Sequence, residues 1–103
     1  MLKTVETNGF IPEKETWDNV GLWEERMVKE FGDTIKDIEI FFYGPRIAMC
    51  DVRFLNRNYG SFNIHPKSVR YVGCRCSNEE NEIFERATMN DELFNGTLGK
   101  DRP

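Results

Sequence analysis

Residues 35–54 run Ile35-Lys36-Asp37-Ile38-Glu39-Ile40-Phe41-Phe42-Tyr43-Gly44-Pro45-Arg46-Ile47-Ala48-Met49-Cys50-Asp51-Val52-Arg53-Phe54. Both halves are rich in β-branched and aromatic residues, and Gly44-Pro45 divides them with turn chemistry. The stretch reads as a β-hairpin. Pairing Tyr43 with Ile47 sets Ile38, Ile40 and Phe42 opposite Val52, Cys50 and Ala48 on one apolar face. A slip of one residue would mix the two faces, so this register is preferred.

Two further runs follow, at residues 59–65 and 68–74, bounded by Asn56-Arg57-Asn58 and Pro66-Lys67. Short connections imply antiparallel neighbours. Phe54 is expected opposite Phe62, Val52 opposite Ile64, and Ser68 opposite His65, which brings Tyr71 beside Phe62 and Val69 beside Ile64. Upstream, Trp17, Val20, Trp23, Met27, Val28 and Phe31 recur at helical spacing, and Gly32 is placed to end that helix. Downstream, Ser77-Asn78-Glu79-Glu80 has the form of a capping box, and the helix it opens should bury Ile83, Phe84 and Ala87. Leu93 and Phe94 suggest a short turn before Gly96. The expected fold is α+β: a four-stranded antiparallel meander sheet preceded and followed by a helix, α-β-β-β-β-α. It forms a single domain over residues 1–96 with a flexible C-terminal tail at 97–103. Leu2–Glu6 reads as a short strand outside that order.

The chain has 103 residues, with 14 Lys plus Arg against 18 Asp plus Glu, a net charge of −4. That excludes a uniformly basic nucleic-acid binder. The average hides segregation: residues 1–43 carry −5, residues 44–75 carry +5 and residues 76–103 carry −4. The central cations are Arg46, Arg53, Arg57, Lys67, Arg70 and Arg75, interleaved with Phe54, Tyr59, Phe62 and Tyr71. Arginine and aromatic side chains on a sheet are one means of holding single-stranded nucleic acid. Equally, basic strands can pair with acidic helices inside one fold, through surface ion pairs worth about 0–1 kcal/mol each. The acidic residues Glu13, Glu15, Asp18, Glu24, Glu25 and Glu30 form a second candidate surface, an imitation of a phosphate array of the kind small phage or mobile-element proteins present to basic partners.

The second face of the expected sheet carries the rows Asp37, Arg53, Asn63, Arg70 and then Glu39, Asp51, His65. Beyond them lie Phe41, Tyr43, Ile47 and Met49, an apolar half-face that calls for cover by a helix, a second subunit or a partner. Glu39, Asp51 and His65 together offer an acid–base or metal cluster, against the simpler reading of neutralised charges on a solvated sheet. A zinc site from Cys50, His65, Cys74 and Cys76 is disfavoured. The only close pair is C-x-C, shorter than the C-x₂₋₄-C pairs of structural zinc sites, and Cys50 is expected to point inward and His65 outward. Cys76, just before the Ser77 cap, is a candidate reactive thiol. No nucleotide-binding, hydrolase or zinc-protease motif is present.

The odd cysteine count, an N-terminus without an apolar core and the lack of any apolar run near roughly 18 residues predict a cytoplasmic protein with reduced thiols and no membrane association. The function expected is that of a non-enzymatic interaction protein, a small regulator or inhibitor docking on another protein, without cofactor or metal. Homodimerisation is compatible with it. A nucleic-acid-binding domain and a small enzyme or metal protein centred on His65 are the alternatives.

Overall fold

The computed structural model describes residues 1–89, with the side chains of 87–89 left aside. The elements are β1 (Leu2–Glu6), α1 (Lys14–Phe31), a 3₁₀ turn (Gly32–Thr34), β2 (Ile35–Gly44), β3 (Ile47–Phe54), β4 (Tyr59–Ile64), β5 (Val69–Arg75) and α2 (Asn78–Met89). The strands form one sheet in the order β1-β2-β3-β4-β5. The helix–sheet–helix order is as expected, but the sheet has five strands and is mixed. β1 lies parallel to β2, with Val5 beside Ile40. A parallel neighbour needs a crossover, and α1 supplies it. Short local pairing rules could not find that partner, because it lies more than thirty residues away in the chain.

The first hairpin has the expected register from Asp37↔Arg53 to Phe42↔Ala48. At its tip Gly44, not Tyr43, pairs with Ile47, and an irregularity leaves Tyr43 as the extra residue. The β3–β4 pairing differs by four positions. Cys50 faces Phe62, Val52 faces Gly60 and Arg53 faces Tyr59. The turn is the cause. Phe54 N–H donates to Asn58 O at 2.8 Å, and Arg57, at φ 74°, turns the chain within residues 55–58. The slip is even, so every side chain keeps its expected face. β5 follows β4 as expected, with Phe62↔Tyr71 and Ile64↔Val69, up to a bulge between Ser61 and Phe62.

Both helices lie on one face of the sheet, where the core forms. Ile38, Ile40, Phe42, Ala48, Cys50, Val52, Phe54, Phe62 and Ile64 meet Val20, Trp23 and Met27 of α1 and Phe84 of α2. Each large side chain sealed there contributes roughly 1.5–3 kcal/mol. The buried stripe of α1 is Thr16, Asn19, Val20, Trp23 and Met27. Trp17 and Val28, expected inside, are 48% and 41% exposed at the edges of that stripe. Trp17 still stacks on Phe42, with ring centroids 5.8 Å apart. Asn19, expected nowhere in the core, is sealed because its Nδ2 donates to the carbonyls of His65 and Pro66 at 3.0 and 2.7 Å.

Helix ends follow the local signals. Gly32 adopts φ 50°, and its N–H donates to Val28 O. Ser77 N–H donates to Glu80 Oε1 at 2.8 Å, and Glu80 N–H donates to Ser77 Oγ at 3.2 Å, a reciprocal cap. The Phe84 ring packs on Gly60, whose missing side chain makes room. A Cβ there would stand 2.7 Å from ring atoms. Expected burial of Ala87, the turn at Leu93 and Phe94, and the tail at 97–103 fall outside the described side chains and residues. Among the described residues no helix is long and apolar enough to cross a membrane.

Candidate functional site: the open face of the sheet

Strand alternation sends every second side chain away from the helices, and among the described residues no element packs on that side. Among the described residues this face is open, and neither α1 nor α2 covers the apolar half-face. Phe41 and Met49 are cross-strand partners. The Phe41 and Tyr43 rings lie 4.9 Å apart, and Tyr43 Oη is 3.9 Å from Met49 Sδ. Ile47 completes the patch at the hairpin tip. Phe41 is 36% and Tyr43 52% exposed, while Ile47 and Met49 are half-buried. The patch is flanked by charge of opposite sign. Glu6 of β1 lies beside Phe41, and on the other flank Asn63 follows Met49 and Arg70 follows Asn63.

The lower half of the same face is polar and largely self-satisfied. Arg53 Nε donates to Asp37 Oδ1 at 2.6 Å, and its Nη2 reaches Glu39 Oε1 at 2.6 Å. The hydrogen bond to Asp37, together with the charges of Asp37, Glu39 and Asp51, holds the guanidinium above its ordinary pKa. Asp51 Oδ1 is enclosed and accepts no hydrogen bond among the described residues. Tyr59, 41% exposed, stands between Arg53 and Arg75 in the cross-strand row.

The six basic candidates do not converge. Arg46 is taken by the Glu13 carboxylate at 2.9 Å. Arg53 is taken by Asp37 and Glu39, Arg57 sits in the β3–β4 turn, Lys67 in the β4–β5 turn, and Arg70 and Arg75 lie along the edge strand β5. The acidic candidates are also largely paired. Lys3 meets Glu24 at 2.8 Å, Lys14 meets Asp18 at 2.7 Å and Arg26 meets Glu30 at 2.9 Å. Glu15 and Glu25 alone of that set make no ion pair among the described residues.

The Glu39–Asp51–His65 cluster is not assembled. Glu39 and Asp51 are partners, but the residue facing Asp51 across β4 is Ser61, and His65 lies beyond the end of β4. The four-residue register difference moved His65 away. Among the described residues no three His, Cys, Asp or Glu side chains gather as metal ligands. Cys50 is sealed in the core, where burial pushes its thiol far above the ordinary range. Cys74 and Cys76, expected as reduced thiols, are joined in a disulfide. β5 ends at Arg75, so Cys76 is already off the strand and free to turn back.

A concavity of about 470 Å³ lies between the C-terminal end of α1, the β3–β4 turn and the start of α2. Phe31, Phe54, Leu55 and Ile83 form its apolar wall, and Glu30, Asp33, Glu79 and Glu80 surround it. Sequence periodicity did not reveal it, because its walls come from three separate segments. Comparison with family models, curated proteins and solved structures finds no match.

Proposed function

We propose that this chain is a non-enzymatic interaction domain, a small cytoplasmic regulator or inhibitor that docks on another protein through the open face of its sheet. The observation that carries the reading is the uncovered cluster of Phe41, Tyr43, Ile47 and Met49 on a face that no described element packs against. Contiguous exposed apolar groups rimmed by polar ones are characteristic of recognition surfaces. The partner surface presents apolar side chains to the patch, a basic group to Glu6 and an acidic group to Arg70. Internal ion pairs at Arg46 and Arg53 weaken the case for a phosphate-binding sheet, since both guanidinium groups already serve carboxylates. Those at Glu13, Asp18, Glu24 and Glu30 weaken the case for phosphate mimicry in the same way.

The test compares binding to a co-purifying protein by the native chain, by Phe41→Asp with Met49→Asp, and by Glu15→Lys with Glu25→Lys. Loss of at least tenfold in affinity with the first pair alone, at unchanged far-ultraviolet circular dichroism, is the expected result. Unchanged binding by the first pair overturns the reading. Concentration-dependent mass of the chain alone would assign the patch to a second copy. A salt-sensitive gel shift on single-stranded RNA or DNA would move the function to Tyr59, Arg75 and Arg70.

A further inference from the structure

The junction between β5 and α2 holds the only redox-capable pair among the described residues. Cys74 is the penultimate residue of β5, Cys76 follows its last residue, and Ser77 caps α2. In an extended strand, residues two apart lie about 6.6 Å from each other. Here the two Cα atoms are 5.5 Å apart, within the range a disulfide spans, and the sulfurs are joined.

The bond contributes little as a structural staple. Chain-entropy stabilisation grows with the length of the closed loop, and this loop encloses Arg75 alone. The strand and the helix are already held by other means. Tyr71 and Phe84 pack with ring centroids 5.5 Å apart, and Tyr71 Oη donates to Asn81 Oδ1 at 2.8 Å. Both cysteines are half-buried at the margin of the core, within reach of a small solute. In reducing compartments, disulfides are chiefly transient or redox-sensing ones.

The surroundings provide for both protons of the open form. Asn81 Oδ1 lies 3.9 Å from Cys74 Sγ and can accept a hydrogen bond from the Cys74 thiol. Tyr71 Oη lies 3.8 Å from Cys76 Sγ and can donate to a Cys76 thiolate. The N-terminus of α2 and the adjacent Arg75 favour negative charge at Cys76 as well. Cys50, the third cysteine, is sealed in β3 and does not compete as a resolving thiol.

We propose that Cys74 and Cys76 form an exchangeable dithiol–disulfide site that takes two electrons from a pair of small monothiols such as glutathione and returns them. A donor thiolate attacks Cys74 Sγ. The bond between the two cysteines breaks, and Cys76 leaves as the thiolate beside Tyr71. A second donor thiolate then attacks the donor sulfur of the mixed disulfide and releases Cys74, which takes a proton and turns it to Asn81. The protons shed by the two donor thiols return to Cys74 and Cys76, so two donor thiols become one donor disulfide and the protein gains two thiols. Closure is the reverse. The open form releases the cross-linked turn at Arg75 that leads into α2 and transfers the Asn81 acceptor from Tyr71 to Cys74, so the setting of α2 follows the redox state.

The experiment equilibrates the full chain with mixtures of reduced and oxidised glutathione, quenches with iodoacetamide, and counts alkylated cysteines by mass. Circular dichroism is followed in parallel. The expected result is a reversible passage from zero to two alkylated residues, mapped to Cys74 and Cys76, with the fold retained throughout. Cys76→Ser should accumulate a glutathione adduct on Cys74 at least tenfold above the native chain, because the resolving sulfur is gone. A bond that opens only in denaturant overturns the proposal. So does a pair that stays alkylatable in oxidised glutathione alone. The native-chain titration decides the matter even where Cys76→Ser does not fold.

Discussion

Along β3 the two faces of the sheet alternate residue by residue. Ala48, Cys50, Val52 and Phe54 point to the helices and are sealed, whereas Ile47, Met49, Asp51 and Arg53 point away and stay in contact with water. The strand, its hydrogen bonds and its local propensity are common to both sets. What differs is the second layer. On one side Trp23, Met27 and Phe84 complete the packing of Phe62, with the Trp23 and Phe84 rings each 5.4 Å from it. On the other side, among the described residues, Phe41, Tyr43 and Met49 pack on one another with no second layer over them. Among the described residues, stability therefore resides mainly on the covered face, and removing the open apolar patch should cost the fold little.

The contrast is sharpest for two phenylalanines. Phe62→Ala should lower unfolding free energy by about 3–5 kcal/mol, read by urea denaturation. Phe41→Ala should cost about 0.5 kcal/mol. Equal effects would break the division between faces.

Gly60→Ala tests how closely the covered face is packed. Its new methyl group collides with the Phe84 ring, which is itself fully buried and cannot swing away. A loss of about 1–3 kcal/mol is expected. Full retention of the melting temperature would mean that α2 is free to shift.

The covered face should also reveal itself in alkali. Cys50 is held protonated in the fold by burial first, and then by the negative charges of Asp51 and Glu24, whereas its ordinary pKa is 9.0. Above that pH the unfolded chain gives up a proton that the native chain keeps, so stability falls as pH rises. The slope should reach about 1.4 kcal/mol per pH unit. Cys50→Ala should remove this component of the decline, with the remainder shared by Tyr71, whose pKa is also raised by burial and by Glu85. A decline of the same slope in Cys50→Ala would contradict the sealing of β3.

The smallest effect lies on the solvent side of α1. Gly21 has open space where a Cβ would stand and an ordinary helical backbone. Gly21→Ala should stabilise by up to about 1 kcal/mol, seen as a higher urea midpoint.

Much of this fold is legible in the amino-acid order alone. The first hairpin, the β4–β5 pairing, the Gly32 stop and the Ser77 cap follow from alternation, turn chemistry and capping, all of which act within a few residues. The errors came where distant parts meet. β1 joined β2 across an intervening helix, and the β3–β4 turn tightened around Arg57 and carried His65 out of the expected cluster. Trp17 and Val28 have the right spacing but fall just outside the stripe that faces the sheet, while Asn19 is drawn inside by carbonyls 46 and 47 residues away. The members of the apolar patch were legible because strand alternation alone assigns their face.

By itself the amino-acid order determined which side chains share a face of each strand, where the helices begin and end, and how charge divides along the chain. These are matters of period and of neighbours a few bonds away. Tertiary structure decided the fifth strand, which face both helices cover, the pairing of the acidic and basic groups, and the meeting of Cys74 with Cys76. Each of these depends on segments brought together by packing or on the point where a strand ends, and no local period encodes either.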